Sequence, residues 1–332
     1  MVLTTLTMLP MPVNSLCALP LSLSPRSVQW FIERGNKKGV PFGETIDFFR
    51  TNFETAQANY DLVSNPTIED DYKSYYTQTF HGYETGNLSW EAAEDCLGAT
   101  LSMSLSYWPK NRPMETASWF RGNFTQALTQ YCDEHSPHDI SQKIKTKSSS
   151  LNMLDVAGSI GVSTKVLLDE FENAKVGLVD LSPYFLSTAK MLLETKGSPI
   201  YDASATQRVS YQHAYAEDMP YASNSLDIVT VSFLIHELPP PVIRQVMEEA
   251  YRVLKPGGVL AILDLDASTV KSLPPLRRFL FEVSEPHIHQ YTSAKTNVHE
   301  FMKDAGFQHT TYEMNDPMNA RWIGQKPPKS DA

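Results

Sequence analysis

The chain has 332 residues, 42% hydrophobic and 20% charged, which allows two domains or one large domain with an N-terminal extension. Its formal net charge of −10 argues against nucleic acid or an anionic membrane surface as the main partner, because both require a basic face. The three cysteines, Cys17, Cys96 and Cys132, are too few and too scattered for a disulfide framework, which is typical of a reduced, intracellular protein.

Residues 1–26 are predicted to be a flexible N-terminus. The segment is rich in Leu, Ser, Thr and Pro, and Arg26 and Glu33 are the first basic and acidic residues. Acid-poor, Ser-rich starts occur in organelle transit peptides, which also carry arginines. We therefore expect a cytoplasmic protein, with organelle targeting as the alternative. No apolar run reaches the roughly 18 residues that span a bilayer.

Residues 27–147 are predicted to form a mainly helical region that covers a substrate. Two stretches, "VPFGETIDFFRTNFETAQANYDLV" and "LSWEAAEDCLGATLSMSLSYW", repeat apolar residues at helical spacing, and Ser89 is a candidate N-cap of the second. An aromatic segment between them is either a lid over an acceptor pocket or a packed core. Its candidate substrate-binding residues are Tyr75, Tyr76 and His81. The Ser/Lys-rich residues 136–150 predict a linker or exposed loop.

Residues 148–328 alternate β-branched runs with amphipathic stretches, which predicts a doubly wound, mostly parallel, Rossmann-like α/β sheet. The seven predicted strands are Met153–Val156, Val176–Val179, Val209–His213, Ile228–Phe233, Val259–Leu263, Gln308–Met314 and Arg321–Gln325. The predicted helices are Ser163–Phe171, Pro183–Glu194, Pro241–Leu254 and Thr296–Ala305. A turn at 315–317 predicts that the last two strands form a C-terminal antiparallel hairpin.

The stretch "LNMLDVAGSIGVST", from Leu151, is either a ligand-binding loop or an ordinary strand-to-helix turn. Ligands of doubly wound sheets bind at the carboxyl ends of the strands, and small residues there let the backbone approach them. Asp180, at the end of the second strand, favours a nucleoside-bearing ligand because an acid there suits both ribose hydroxyls. The alternative is that Asp180 belongs to the cap of the helix that begins at Ser182-Pro183.

Two further blocks, "AEDMPY" from Ala216 and "RVLKPGG" from Arg252, have no role in an NAD-dependent dehydrogenase. With these blocks, residues 151–266 resemble class I S-adenosylmethionine-dependent methyltransferases. The similar branch contains ubiquinone and menaquinone biosynthesis enzymes and many small-molecule methyltransferases. The resemblance implies S-adenosylmethionine as the cofactor and a small-molecule acceptor.

The family loop pattern D-x-G-x-G-x-G is matched at Asp155 and Gly161, whereas Ala157 and Ser159 replace glycines. Both replacements are small, so close backbone approach remains feasible, at a cost where φ is positive. Tyr215 stands where an acid often precedes the alanine of the adenine site. From the methionine end to the pocket wall, the cofactor-binding residues that the resemblance implies are Asp155, Ala157, Gly158, Gly161, Asp180, Leu181, Ala216, Glu217, Asp218, Ser232 and Phe233.

His236 is the candidate general base. "FLIHELPPP" places His236 and Glu237 after the fourth strand, where an acceptor would meet the cofactor, and a histidine accepts a proton near neutral pH. The alternative is that His236 only packs against, or caps, the following turn.

"EPHIHQY" adds His287, His289 and Tyr291 as candidate acceptor-lining residues. The two histidines, with Glu285 nearby, would be able to bind a metal if they lay on a strand. No spacing demands such a site, and we expect none.

The sequence predicts a methyltransferase that acts on a small molecule. The preferred interpretation is O-methylation of a secondary metabolite. The alternatives are C-methylation of a quinone or aromatic ring, and a non-catalytic regulatory module that binds S-adenosylmethionine. We expect a monomer or homodimer with no nucleic-acid partner and no membrane span.

Overall fold

The computed structural model describes most of the chain after residue 32. The described residues are 33, 35–78, 83, 85–102, 113–136, 138–147 and 149–328. The predicted flexible N-terminus, residues 1–26, lies outside them.

The described residues before the sheet are mainly helical. Their helices include α1 (Phe42–Thr51), α2 (Phe53–Val63), α3 (Pro66–Glu69), α4 (Trp90–Ser102), α5 (Pro113–His135) and α6 (His138–Thr146). The predicted cap of α4 is confirmed, because Ser89 Oγ accepts the N–H of Ala92 at 3.2 Å. The prediction of a linker at 136–150 was wrong: Ile140 of α6 is buried, which makes α6 an amphipathic helix packed on the core.

The rest of the described chain forms a seven-stranded sheet in the order β3-β2-β1-β4-β5-β7-β6. The strands are β1 (Leu151–Val156), β2 (Ala174–Asp180), β3 (Val209–His213), β4 (Leu226–Ser232), β5 (Leu254–Leu265), β6 (Gln308–Met314) and β7 (Asn319–Gln325). The first five pair in parallel, and β7 runs antiparallel to both β5 and β6. The predicted fold class, with its C-terminal hairpin, is confirmed.

Helices connect the strands. They are α7 (Val162–Glu170), α8 (Pro183–Glu194), α9 (Ala205–Arg208), α10 (Pro240–Val253), α11 (Ala267–Ser272), α12 (Pro275–Ser284), α13 (Ile288–Tyr291) and α14 (Val298–Asp304), with a 3₁₀ turn η1 at Ile235–Glu237. Helix α8 begins where the sequence predicts, since Ser182 Oγ accepts the N–H of Phe185 at 3.2 Å and Pro183 opens the first turn. Helices α9 and α11 to α13 were not predicted; α9, α11 and α13 have only four to six residues, too few to show a helical period.

The N-terminal helices share cores with the sheet and its helices. Phe42 and Ile46 of α1 belong to one buried cluster with Ile160 and Leu192. A second cluster joins α5 to the sheet through Phe120, Leu128, Leu151 and Leu263. Burial of such side chains stabilises each by roughly 1.5–3 kcal/mol, so the N-terminal helices are held on the sheet by shared cores.

No helix in the described part of the chain is both long and apolar enough to cross a membrane.

Candidate active site at the carboxyl ends of the strands

The strand order places a crevice between the ends of β1 and β4. After β1 the chain moves outward to β2 and β3, then returns to the other side of β1 as β4. Loops on opposite sides of such a reversal point diverge and leave room for a ligand. The candidate cofactor residues follow β1 to β4, so they meet along one edge of the sheet.

Asp155, at the end of β1, is fully buried and ties the strand to helix α7. Its Oδ2 accepts hydrogen bonds from the hydroxyls of Ser163 and Thr164, each at 2.7 Å. Burial raises the pKa of the Asp155 carboxyl, and these hydroxyl donors lower it. In this structure Asp155 therefore holds the loop in shape.

The loop after β1 adopts left-handed backbone conformations at both replaced glycines. Ala157 has φ 55° and Ser159 has φ 49°, next to Gly161 at φ 86°. A Cβ at Gly158 would lie 2.7 Å from Leu178 Cγ, so this position also excludes a side chain. The loop keeps a tightly curled form, and its two non-glycine residues cost about 1–2 kcal/mol each.

Asp180, at the end of β2, links the first two loops. Its Oδ2 accepts the N–H of Ser159 and its Oδ1 accepts the N–H of Ser182, both at 2.8 Å. The N–H of Leu181 is a third backbone donor to this carboxylate, so about one of its four lone-pair sites remains for a hydroxyl. Burial raises the pKa of Asp180 to about 6, although the backbone donors oppose the rise. Leu181 follows, half-buried.

The loop after β3 is hydrogen-bonded to residues of the N-terminal region. Ala216 is buried, and the Glu217 carboxylate accepts bonds from Lys73 Nζ at 2.7 Å, Tyr75 Oη at 2.5 Å and Tyr76 Oη at 2.8 Å. We call residues 71–76, which these bonds secure, the tyrosine segment. Since a carboxylate has about four lone-pair sites, Glu217 retains little capacity for another donor.

Asp218 is exposed beside this loop. It lies on the wall of a cavity of about 490 Å³ between residues 65–73 and the end of β3. His213 lines the same cavity, and burial lowers its pKa. The structure therefore places Asp218 and Glu217 in different surroundings.

The loop after β4 carries the residues expected near the acceptor. Ser232 and Phe233 are half-buried, and the Phe233 ring packs edge-on against Phe120 with centroids 5.8 Å apart. His236 follows in η1, buried, with its Nδ1 2.5 Å from Asp264 Oδ1 on β5. Asp264 is fully buried, and its Oδ2 accepts the N–H of Ile235 at 2.8 Å.

The Asp264 carboxylate decides the charge of His236. Burial lowers the pKa of the imidazole. The negative charge of Asp264 and its hydrogen bond outweigh this effect and raise the pKa from its ordinary value to about 9. With Nδ1 bound to Asp264, Nε2 is the atom left for an acceptor. The pair has the arrangement by which a carboxylate orients a histidine base.

His236, Glu237 and Glu285 place donor atoms within 4.8 Å of one another, a grouping that is able to hold a metal ion. Each already has a partner within the protein: Asp264 for His236, Asn87 at 3.3 Å for Glu237, and a contact of its own for Glu285. We assign no metal ion to this grouping, because Nε2 of His236 is the atom left for an acceptor.

Of the remaining candidate acceptor-lining residues, His287 and Tyr291 are buried and His289 is exposed. His287 is buried with its ring against the backbone of Tyr75, and Tyr291 is buried with its ring 6.4 Å from that of His236. The Tyr291 hydroxyl donates to the Leu265 carbonyl, so it is held in the core. His289 is exposed and pairs with Glu282 at 3.6 Å, away from this group. His81 lies outside the described residues.

Residues 288–291 form helix α13, with His287 as its N-cap, so His287 and His289 do not lie on a strand. Neighbours two apart on a helix face different directions. The two imidazoles therefore do not share a face, as a metal site built on a strand would require.

The N-terminal region contacts all four loops of this edge. Loop by loop from β1 to β4, the contacts are Cys96 with Ser159 (Sγ to Oγ 3.5 Å), Asn87 O with Ser182 Oγ (2.7 Å), Tyr75 with Glu217, and Phe120 with Phe233. The N-terminal region therefore covers this edge of the sheet.

Sequence reasoning missed Asp264, Glu285 as a neighbour of His236, and Asn87. Asp264 does leave a signal, because "AILDLD" places an acid inside an apolar run that reads as a buried strand. Asn87 has no such signal, since its role depends on the path of the chain before α4.

The comparisons with known proteins decide the family. The methyltransferase domain family matches residues 154–262. A methyltransferase of Synechocystis, itself uncharacterised, is 30% identical over 163 residues, which cover 48% of this chain and 68% of the relative. The chain belongs to the class I S-adenosylmethionine-dependent methyltransferases. It is an enzyme that acts on small molecules, and S-adenosylmethionine is its cofactor.

Two other relatives bear more specific names. A demethylmenaquinone methyltransferase of Protochlamydia amoebophila is 24% identical and covers 60% of this chain and 82% of its own. A mitochondrial 2-methoxy-6-polyprenyl-1,4-benzoquinol methylase of Caenorhabditis elegans is 32% identical. That match covers 48% of this chain and 59% of the relative.

The residues present fit this cofactor. The loop at Gly158 and Gly161 is tightly curled and excludes a Cβ, and the Asp180 carboxylate beside it keeps acceptor capacity for a hydroxyl. Both features suit an aminoacyl group and a ribose that bind side by side.

Proposed function

We propose that the methyltransferase methylates a hydroxyl oxygen of a small, secondary-metabolite-like molecule, with His236 as the general base. The observation that carries this proposal is the buried pair of His236 and Asp264, 2.5 Å apart, at the carboxyl edge of the sheet. A hydroxyl acceptor must lose its proton during transfer, and a histidine oriented by a carboxylate is suited to take it.

The residues proposed to hold the cofactor lie on the first four loops. Asp155, Gly158 and Gly161 shape the methionine end, with Ala157 between them, and Asp180 accepts from the ribose hydroxyls. The others, along the adenine and the pocket wall, are Leu181, Ala216, Glu217, Asp218, Ser232 and Phe233. When bound, S-adenosylmethionine supplies a methyl group on a positively charged sulfur, which accepts the electrons of the breaking bond.

His236 accepts the acceptor's proton on Nε2 while Asp264 stabilises the imidazolium through Nδ1. Because the pKa of His236 is about 9, the neutral imidazole that acts as base is the minor form at pH 7. Its fraction increases as the pH rises toward 9. A phenol, with a pKa near 10, matches this base closely, and such matching favours proton transfer.

The acceptor pocket is proposed to lie between His236 and the tyrosine segment. Tyr75 connects the two sides, because its hydroxyl donates to Glu217 while its backbone meets His287. With Tyr76 and Glu237, these groups offer an aromatic wall with a few polar atoms, which suits a planar acceptor. The same proposal keeps His81, His289 and Tyr291 as candidate acceptor contacts.

C-methylation of a quinol ring is the second candidate. Two relatives carry names of that chemistry, a demethylmenaquinone methyltransferase and a benzoquinol methylase. The same base would serve it, because loss of a quinol proton makes the neighbouring ring carbon nucleophilic.

A panel of phenols and quinols, assayed across pH, tests the proposal. We expect kcat/KM to rise with pH up to about 9, the pKa of His236, and this rise to be lost in Asp264→Asn. Mass spectrometry and NMR of the product separate a methyl ether from a ring-methylated quinol. A flat profile in the wild-type enzyme would remove His236 as the base. A ring-methylated product would establish C-methylation.

We also propose a cytoplasmic location and a monomer or homodimer, with organelle import as the alternative. The Caenorhabditis elegans relative is named as mitochondrial, which supports the alternative. Fluorescent fusions with and without residues 1–26 distinguish the two locations, and light scattering gives the mass in solution.

A further inference from the structure

Arg121, in the first half of α5, is a buried cation that has no part in the proposed function so far. Only 8% of this residue is exposed. Arginine is rarely buried to this degree, because a charge that leaves water loses its hydration and must be compensated by a group of opposite charge. The burial of Arg121 therefore points to an anion at the place where its guanidinium lies.

The guanidinium of Arg121 lies near the end of β4. Its Cζ is 4.4 Å from the centroid of the Phe120 ring. That ring packs edge-on against Phe233, the residue that follows β4, with centroids 5.8 Å apart. Because the face of an aromatic ring attracts a cation, Phe120 helps to keep the guanidinium beside this strand end.

The positive charge of Arg121 also reaches the end of β1. Burial raises the pKa of the Asp155 carboxyl, whereas the hydroxyls around it and the charge of Arg121 lower it. Asp155 is itself held by the hydroxyls of Ser163 and Thr164. Since β1 and β4 are neighbours in the sheet, a cation near both of their ends lies at the crevice between them.

The C-terminal hairpin fixes the part of α5 that carries Arg121. Asn315, a buried residue of the turn between β6 and β7, donates from Nδ2 to the Phe120 carbonyl at 2.8 Å. Asn123 Nδ2 donates to the Asn315 carbonyl at 3.4 Å. Both bonds flank Arg121 in the chain, so the place of its backbone is set by the sheet and not by α5 alone.

We propose that Arg121 binds the α-carboxylate of S-adenosylmethionine. The planar guanidinium presents two parallel N–H donors to a carboxylate, a match that lysine does not reproduce. This assignment rests on the proposed placement of the methionine end at the loop after β1. It does not depend on which acceptor is methylated or on His236 as the base.

Two ligands that differ only in this carboxylate test the assignment by calorimetry on the full chain. They are S-adenosylmethionine and decarboxylated S-adenosylmethionine. We expect the wild-type protein to bind the first at least about tenfold more tightly. Arg121→Gln should weaken binding of S-adenosylmethionine about 10- to 100-fold and should not weaken binding of the decarboxylated ligand. Arg121→Lys keeps the charge but not the fork, so its affinity should lie between the two.

Arg50→Gln is the matched control, because the Arg50 side chain is 67% exposed on α1, another N-terminal helix. It should leave both affinities unchanged. Circular dichroism establishes that each variant is folded. The wild-type comparison of the two ligands needs no variant, so the test stands even if Arg121→Gln does not fold.

Equal affinity of the wild-type protein for the two ligands would overturn the proposal, as would unchanged affinity for S-adenosylmethionine in Arg121→Gln. An equal loss for both ligands in that variant would also overturn it and would assign Arg121 to the support of Asp155. None of these results bears on methyl transfer to a phenol. Conversely, a protein that prefers the carboxylate through Arg121 but methylates no phenol or quinol would count against the proposed function alone.

Discussion

Asp180 and His236 both follow strands of the same sheet, yet their surroundings are built differently. Asp180 is held by backbone N–H groups of Ser159 and Ser182, and Ser182 lies two positions away in the chain. His236 is held by the side chain of Asp264, on a different strand and 28 positions away. Backbone donors maintain the first site, and a buried ionic pair maintains the second.

With the proposed roles, this difference separates the residues that bind the cofactor from those that take part in the reaction. A site made of backbone donors tolerates side-chain replacement, as Ala157 and Ser159 show by adopting the left-handed turn. A buried charge pair does not, because removal of one partner leaves the other charge buried and unpaired, typically at about 3–5 kcal/mol. We expect substitutions on the acceptor side to act on turnover and those on the cofactor side to act on affinity.

His236→Gln should give the largest effect and separate the two sides most clearly. Loss of the proposed base should lower kcat about 10²–10⁴-fold, which is the usual contribution of a positioned general base. The dissociation constant for S-adenosylmethionine should stay unchanged, since Asp180 and its loop are intact. Steady-state kinetics and calorimetry measure the two quantities. His309→Gln, at an exposed histidine on β6, should change neither quantity; an equal loss of turnover there would contradict the assignment.

Asp180→Ala should give the next largest effect, on affinity. It removes charge-assisted bonds and should weaken cofactor binding by roughly 1.5–3 kcal/mol. The pKa of Asp180 is about 6, raised from its usual value, so the carboxylate exists only above that pH. Wild-type affinity should therefore fall as the pH falls through about 6, and Asp180→Asn should lose this dependence. Asp169→Ala, at an exposed acid on α7, is the control, and wild-type affinity in Asp180→Ala would refute the ribose role.

Glu217→Gln should have an intermediate effect and tests which side Glu217 serves. It loses the ionic bond to Lys73, which is 41% exposed, so we expect about a tenfold rise in acceptor KM. If Glu217 also contacts the adenine, as proposed, cofactor affinity should fall as well, whereas unchanged cofactor affinity would assign Glu217 to the tyrosine segment alone. A loss of cofactor affinity with an unchanged acceptor KM would instead assign Glu217 to the adenine. Glu248→Gln, at an exposed acid on α10, is the control.

Ala157→Gly should have the smallest effect. Glycine relieves the left-handed strain but loses more chain entropy on folding, so the free energy of unfolding should rise by no more than about 1 kcal/mol. Gly161→Ala should do the opposite, because its φ is 86° and a Cβ would lie 2.9 Å from Leu193 Cδ1. Denaturant titration measures both. Marked destabilisation by Ala157→Gly would show that the loop is not strained.

The pairing of His236 with Asp264 also makes stability depend on pH. The pKa of His236 is raised to about 9 in the folded protein. The folded state is therefore stabilised at pH values below the ordinary histidine pKa near 6.5, where the imidazole is charged in both the folded and the unfolded state. That gain is lost as the pH rises through about 9. The cofactor side behaves differently, because the buried carboxyl of Asp180 favours its neutral form and destabilises the fold above about pH 6.

Local sequence predicted most of the sheet and the cofactor side. Strand β4 reads as an apolar run because both its faces are covered, and α8 begins at Ser182-Pro183 because capping and proline act within one turn. Such features need only neighbouring residues. Helix α6 was taken for a linker because its polar composition conceals the few apolar residues that it buries, such as Ile140.

The sequence by itself determined the parallel sheet, its closing hairpin, the loop around Gly161 and the acid at Asp180. These depend on periodicity, turn residues and short-range hydrogen bonds, which are written in consecutive positions. Only the tertiary structure decided that Asp264 supports His236, that Glu217 holds Tyr75 and Tyr76, and that Leu276 and Phe279 face outward. Those contacts join positions 28 to 142 residues apart or depend on which face of a helix finds a partner, and no local pattern specifies either.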